Sequence, residues 1–474
     1  MVFSSFTFLF LFFPLLLIVY FFPLFRKRSI RNGILLVFSL IFYSFGGWRL
    51  MPIILLSIAM NYVFGRLADA EHAQRVRKAA VVASVVCNLL LLFVFKYLGF
   101  TTEMLHQLFP GIPVAELVLP IGISFYTFQS LSYTIDVFRG EVNAEKNILR
   151  LALYIALFPQ LVAGPIVRYT TIEGELRHRK ETWENFEQGI SRFLFGFAKK
   201  VLLANTFGQV ADGIFGQNPD QLATSAAWLG VIAYTLQIYF DFSGYSDMAI
   251  GLGCVFGFHF PENFNYPYIA ASVKDFWRRW HISLSSWFRD YLYIPLGGNR
   301  GSKGKHIRNL LIVWGLTGFW HGAAWTFLLW GLYYAVLLIG EQYLWGDLLK
   351  RLPKVVQHGY ALFLILLGWL IFRSTDLHQI QTFLSILFGA AGTGGWDHQT
   401  TYYLLEFRWE FLFGILAALP LKKYVIRLAE KDSHPKAGTF LLTWGKPALV
   451  LTLGGLSVLS LVSTGYNPFI YFQF

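Results

Sequence analysis

From Ser5 to Thr464 the chain repeats one pattern: a long apolar run, then a short loop that carries most of the charge. Runs of about 17–25 apolar residues match the hydrocarbon thickness of a bilayer. In hydrocarbon every backbone N–H and C=O must be satisfied within the protein, and unbroken runs of this length do that only as helices. Candidate spans lie near residues 5–25, 32–48, 51–67, 79–98, 117–138, 188–211, 224–246, 309–340, 358–374, 408–421 and 447–464. The 309–340 run is too long for one simple crossing and reads as a tilted helix or a hairpin. The predicted fold is an all-α polytopic membrane protein, one integral-membrane domain over 1–474.

Of the 474 residues 55% are hydrophobic and 14% are charged. Soluble domains carry roughly a quarter charged residues. The formal charge of +12 does not point to nucleic acid, because the cations sit in short loops between apolar runs. That is the positive-inside pattern, and anionic lipid head groups account for the rest. "RKRSIR" and "RLADAEHAQRVRK" are basic, whereas Gly99–Glu116 and Ala211–Thr224 hold no Lys or Arg. The first helix is expected to run inward from outside and to remain in the protein, since no cation precedes it and no small-residue cleavage site follows it. Residues 255–308 are too charged to span and read as cytoplasmic or interfacial amphipathic helices within the domain. The expected location is the cytoplasmic membrane of the cell, crossed many times.

"LRLALYIALFPQLVAGPIVRY", Leu149–Tyr169, is short and broken by Pro159, Gly164 and Pro165. A re-entrant element fits it, because broken backbone survives at membrane depth only where protein or a wet cavity surrounds it. Cys87 and Cys254 have no metal-like spacing and read as packing residues; no metal site and no bound cofactor are expected.

Three stretches carry candidate chemistry. "GFWHGAAWTF" places His321, with Trp320 beside it, in an apolar run, where an ionisable group is a functional candidate by default. The bland alternative is a histidine hydrogen-bonded to a neighbouring helix. "SVKDFWRRWHISLSSWFRDYLYIPLGGNR" is predicted to form one helix with an apolar stripe through Phe276, Trp280, Leu284, Trp287, Tyr291 and Ile294. Beside it Lys274, Arg278, His281, Ser285 and Arg289 form a cationic stripe, suited to anionic lipid or to a phosphorylated ligand. "YFDFSGYSDMAIGLG" ends an apolar run with Asp241 and Asp247, for which pairing with Arg278 or Arg279 is expected. No phosphate loop, HExxH or nucleophile elbow is present. Acids and arginines are not spread across many spans, as a proton-coupled transporter would require.

Taken together, "FWRRWHISLSSWFRDYLYIPLGGNR" and "TGFWHGAAWTFLLWG" resemble the membrane-bound O-acyltransferase family, in its bacterial polysaccharide-modifying branch that includes alginate O-acetylation. "MVFSS", "LFPQLVAGPIVRY", "YFDFSGYSDMAIGLG", "NFNYPY" and "YNPFIYFQF" extend the resemblance along the chain. It implies about eleven transmembrane helices, with re-entrant and interfacial ones, around a central funnel. It implies an acyl thioester donor such as acetyl-CoA on the cytoplasmic side, an acceptor on the other, and an extracytoplasmic acyl-transfer partner protein. It makes His321 and His281 the catalytic pair. Imidazole suits such a transfer, because its pKa lies near operating pH and it can take the acceptor hydroxyl proton. Lys274, Arg278, Arg289, Asp241, Asp247 and Trp320 are the candidates for donor or substrate binding. Alternative readings are D-alanyl or peptidoglycan acyl transfer on the same fold, and a polysaccharide exporter.

Overall fold

The computed structural model describes residues 1–421 and 441–470, so the last four residues of "YNPFIYFQF" lie outside the described residues. Every regular element among the described residues is a helix. Four helical stretches are long and apolar enough to cross a membrane: Trp48–Ala68, Gln74–Leu108, Lys354–Arg373 and Thr443–Thr464. The chain forms two compact units, Met1–Phe193 with Met248–Pro261, and Leu194–Asp247 with Glu262–Phe474.

In the first unit, apolar helices are joined by buried amides. Asn61 on Met51–Ala68 and Asn88 on Gln74–Leu92 exchange reciprocal hydrogen bonds of 3.1 and 2.8 Å. Ser84 Oγ adds bonds of 3.3 Å to Asn61 and to Thr134 of Ile123–Arg139. Such interhelical bonds stabilise packing where lipid competes with side chains for apolar contact. The expected re-entrant stretch is a broken helix, Ile148–Ala156 then Phe158–Leu161, and residues 151–167 are all buried. Its break is satisfied by protein: Phe158 N–H donates to Ser39 Oγ at 3.1 Å. Outside the spans, Glu181 accepts from Tyr20 Oη at 2.5 Å and from Arg31 at 2.8 Å, and pairs with Arg28. Burial pushes the Glu181 carboxyl up, but the Arg28 and Tyr20 hydrogen bonds and the Arg28 and Arg179 charges prevail and hold it at about 2.

In the second unit, the 309–340 run is a hairpin. Lys303–His321 and Trp325–Tyr343 pack along each other, and His321 is the last residue of the first helix. Extended backbone at Gly322 (φ −166°, ψ 154°) and Ala324 (φ −146°, ψ 155°) makes the reversal. Glycines permit the close crossing: a Cβ on Gly318 would meet Phe327 O at 2.2 Å, and one on Gly331 would meet Trp314 O at 2.2 Å.

The expected single helix over Ser272–Arg300 is instead broken. Val273–Trp277 and Ile282–Phe288 flank a break with left-handed backbone at His281, and a π-turn follows at Arg289–Tyr293. The side-chain period runs on through the break, which is why periodicity alone conceals it. Phe276, Trp280, Leu284, Trp287 and Tyr291 are buried as the stripe requires, but Ile294 is exposed. Lys274, Arg278 and Arg289 are exposed, whereas His281 is buried and so leaves their face.

Candidate active site

His321 stands at the end of its helix inside a box of rings. Trp320 lies 5.0 Å from it between centroids, Trp330 5.1 Å and Phe372 5.3 Å, all near edge-on. These faces open on a small, partly open pocket lined by Ile238, Phe242, Trp280, His321, Trp330, Trp369, Phe372 and Ile470.

His281 reaches the same surroundings from the break between the two short helices. Its ring meets Phe242 of the cavity wall edge-on at 4.6 Å and lies 6.3 Å from Trp320. Its backbone is left-handed, φ 45° and ψ 54°, a conformation that few non-glycine residues adopt. Strand-like bonds hold it there: Asn265 N–H donates to Arg279 O, and Ile282 N–H to Asn263 O, both at 2.9 Å. The side chain of Asn263 completes the clasp. Its Oδ1 lies 3.1 Å from His281 Nδ1 and accepts from Ser283 N–H at 3.2 Å and Ser283 Oγ at 2.8 Å. His281 lies outside the spanning helices, and burial, with the neighbouring His321, holds its imidazole well below the usual range. It is therefore neutral at pH 7. His281 Nε2, Asn263 Nδ2 and Trp330 Nε1 are buried and have no hydrogen-bond partner among the described residues.

The two aspartates do not meet Arg278 or Arg279. Asp247 pairs with Lys199 at 2.6 Å, and Asp241 with the buried Lys200 at 2.8 Å. Arg279 pairs with Asp275 at 3.0 Å, and Arg278 makes no ion pair among the described residues. The expectation failed because the lysines stand on an earlier helix, with Lys199 48 residues before Asp247, and became neighbours only on folding. Asp241 also anchors the chain end nearest the cavity: its Oδ2 accepts from Ile470 N–H at 2.9 Å, while Lys200 donates to Pro468 O. The buried ion pair thus pins the 466–470 segment, and Ile470 forms part of the cavity wall. Lys274 and Arg289 stay at the surface; Arg289 pairs with its neighbour Asp290 at 2.6 Å.

The structure therefore brings His321, His281 and Trp320 together and leaves Lys274, Arg278 and Arg289 outside the cavity lining. Asn263, Lys200, Trp330, Trp369 and Ile470 did not stand out in the sequence. Asn263 opens the stretch "NFNYPY", where an asparagine before aromatic residues was a readable signal; the others are common residue types in apolar context.

A sequence model of the membrane-bound O-acyltransferase family matches residues 40–346. The "Probable alginate O-acetylase AlgI" of Azotobacter vinelandii is 39% identical over the whole of both chains. The "Peptidoglycan O-acetyltransferase" of Helicobacter pylori is 31% identical over 95% of this chain and 92% of its own. The "Teichoic acid D-alanyltransferase" of Bacillus subtilis is 30% identical over 57% of this chain and 70% of its own.

Proposed function

Because the chain belongs to the membrane-bound O-acyltransferase family, we propose that it moves an acetyl group from a cytoplasmic thioester, acetyl-CoA, to a hydroxyl of an extracytoplasmic polysaccharide of the alginate kind. It is an O-acyltransferase and a membrane protein, so the exporter reading falls. The alginate acceptor is supported by the greater identity to alginate O-acetylases than to the peptidoglycan and teichoic acid enzymes. About eleven spans around a funnel in the cytoplasmic membrane, and an extracytoplasmic acyl-transfer partner, belong to the same proposal.

One observation carries the chemistry: two histidines, distant in sequence, meet at one aromatic pocket, His321 in its wall and His281 edge-on against Phe242 of that wall. In the transfer, the acceptor hydroxyl oxygen attacks the thioester carbonyl. The C–O bond forms, the C–S bond breaks, and the thiolate leaves with the electron pair. His321 takes the hydroxyl proton and returns it to the thiolate as the free thiol. Positioned proton transfer of this kind contributes roughly 10²–10⁴-fold.

The test uses the full chain in proteoliposomes with enclosed alginate and external acetyl-CoA, following release of free thiol. His321→Ala should lose at least roughly 100-fold in turnover while inserting normally. Turnover close to that of the unaltered protein would remove His321 from the chemistry.

A further inference from the structure

The structure defines the tautomer of His281, and the residue that defines it is Asn263. Ser283 N–H can only donate, so the amide end of Asn263 facing it is the oxygen. Ser283 Oγ converges on that same oxygen. An oxygen accepts only, so the proton between it and His281, over 3.1 Å, lies on Nδ1. A neutral imidazole carries one N–H, which leaves Nε2 as a bare lone pair. Nε2 is also the buried ring nitrogen without a partner among the described residues. The left-handed backbone at His281 adds weight, because strain of this kind persists only where the surroundings enforce it and clusters at functional sites.

We infer that Asn263 is a positioning residue: it holds His281 as the Nδ1–H tautomer, so that His281 enters the transfer as an acceptor through Nε2. This rests on the acyl-transfer reading above and divides labour within it. A ring with a bare Nε2 can accept a hydrogen bond from a neighbouring hydroxyl of the acceptor sugar and so orient it, while the single proton of the attacking hydroxyl goes to His321. It cannot donate to the oxyanion that develops there, so that charge is met by other donors. The titratable group acting on His281 is His321. On its own stretch Arg279 pairs with Asp275 at 3.0 Å, and Arg278 is exposed. Phe242 and Trp320, which flank the ring, carry no charge.

The experiment compares His281→Ala, Asn263→Ala and Asn263→Asp in the same proteoliposome assay, with pH–rate profiles and thermal unfolding of each preparation. Asn263→Asp keeps an oxygen facing Ser283 and Nδ1 but adds a negative charge, which favours the imidazolium. It should keep at least a tenth of the turnover at the optimum and move the acidic limb up by roughly one pH unit or more. Asn263→Ala frees the tautomer and should lower kcat roughly 10²–10⁴-fold, the scale seen when a catalytic histidine is held in the wrong tautomer, with KM for acetyl-CoA little changed. A donor role for His281 predicts a different change: activity would fall as pH rises through its pKa, and Asn263→Asp would extend activity toward alkaline pH. That result, or an Asn263→Ala protein within about threefold of normal, overturns the inference. If Asn263→Ala does not fold, Asn263→Asp and ¹⁵N-histidine NMR of the unaltered protein decide it, since a protonated Nε2 on His281 also overturns it. A fully active His281→Ala protein would instead remove His281 from the acyl-transfer reading itself.

Discussion

Gly318 and Gly331 meet backbone to backbone in the hairpin that carries His321: a Cβ built on either would stand 3.1 Å from the other's Cα. No side chain fits between the two helices at that level, and three residues further on from Gly318 lies the catalytic candidate. The distance between these glycines therefore sets where His321 points.

Gly331→Ala is expected to wedge the hairpin open, since its Cβ would lie 2.2 Å from Trp314 O. Overpacking of this kind costs about 1–3 kcal/mol. The displaced His321 should lower turnover roughly 10–100-fold, because small misplacements of a reacting group are costly. Gly315→Ala is the control: its nearest neighbour would be Leu328 Cδ1 at 3.9 Å, so melting temperature and turnover should stay normal.

Lys200 and Asp241 form a pair whose side chains are only 4% and 3% exposed. Removing one partner strands a buried charge, which costs about 3–5 kcal/mol. Asp241→Leu alone should therefore unfold at lower temperature than the double variant Lys200→Met, Asp241→Leu. A double-mutant cycle by thermal unfolding measures the coupling. Additive effects would show that the pair is not coupled.

Arg278 is exposed and makes no ion pair among the described residues, so it is available to the phosphates of a donor. If it binds them, Arg278→Ala should raise KM for acetyl-CoA with kcat nearly unchanged, the sign of lost uniform binding. Added salt should weaken donor binding more in the unaltered protein than in the variant. An unchanged KM with normal stability would leave Arg278 as a lipid-facing cation.

Glu181 links acid stability to the first unit. Its folded pKa of about 2 lies below the ordinary 4.5, so it stabilises the fold above pH 4.5, and that contribution fades as pH falls from 4.5 toward 2. Glu181→Gln should melt at least about 3 °C lower at pH 7. The gap to the unaltered protein should narrow below pH 4.5. A gap that widens on acidification would contradict the depressed pKa.

Four of the expected spans were legible because hydrocarbon forces long apolar runs into helices. Met51–Ala68 and Lys354–Arg373 fall where hydropathy places them, within a few residues. His321 was legible for the same reason, as an ionisable group in an apolar run. The break at His281 was not, because burial of Phe276, Trp280 and Leu284 keeps a helical period across a break made by backbone bonds to 263–265. Nor were the partners of Asp241 and Asp247. Charge in a sequence says that a partner is needed, and only the fold selects Lys200 and Lys199 over Arg278 and Arg279.

Ile470 follows every other residue of the cavity wall in the chain, from Ile238 to Phe372. The wall on that side hangs on the buried pair: Asp241 Oδ2 accepts from Ile470 N–H at 2.9 Å and Lys200 donates to Pro468 O. A change that frees the 466–470 segment would therefore strip one wall from the pocket while leaving both histidines where they stand.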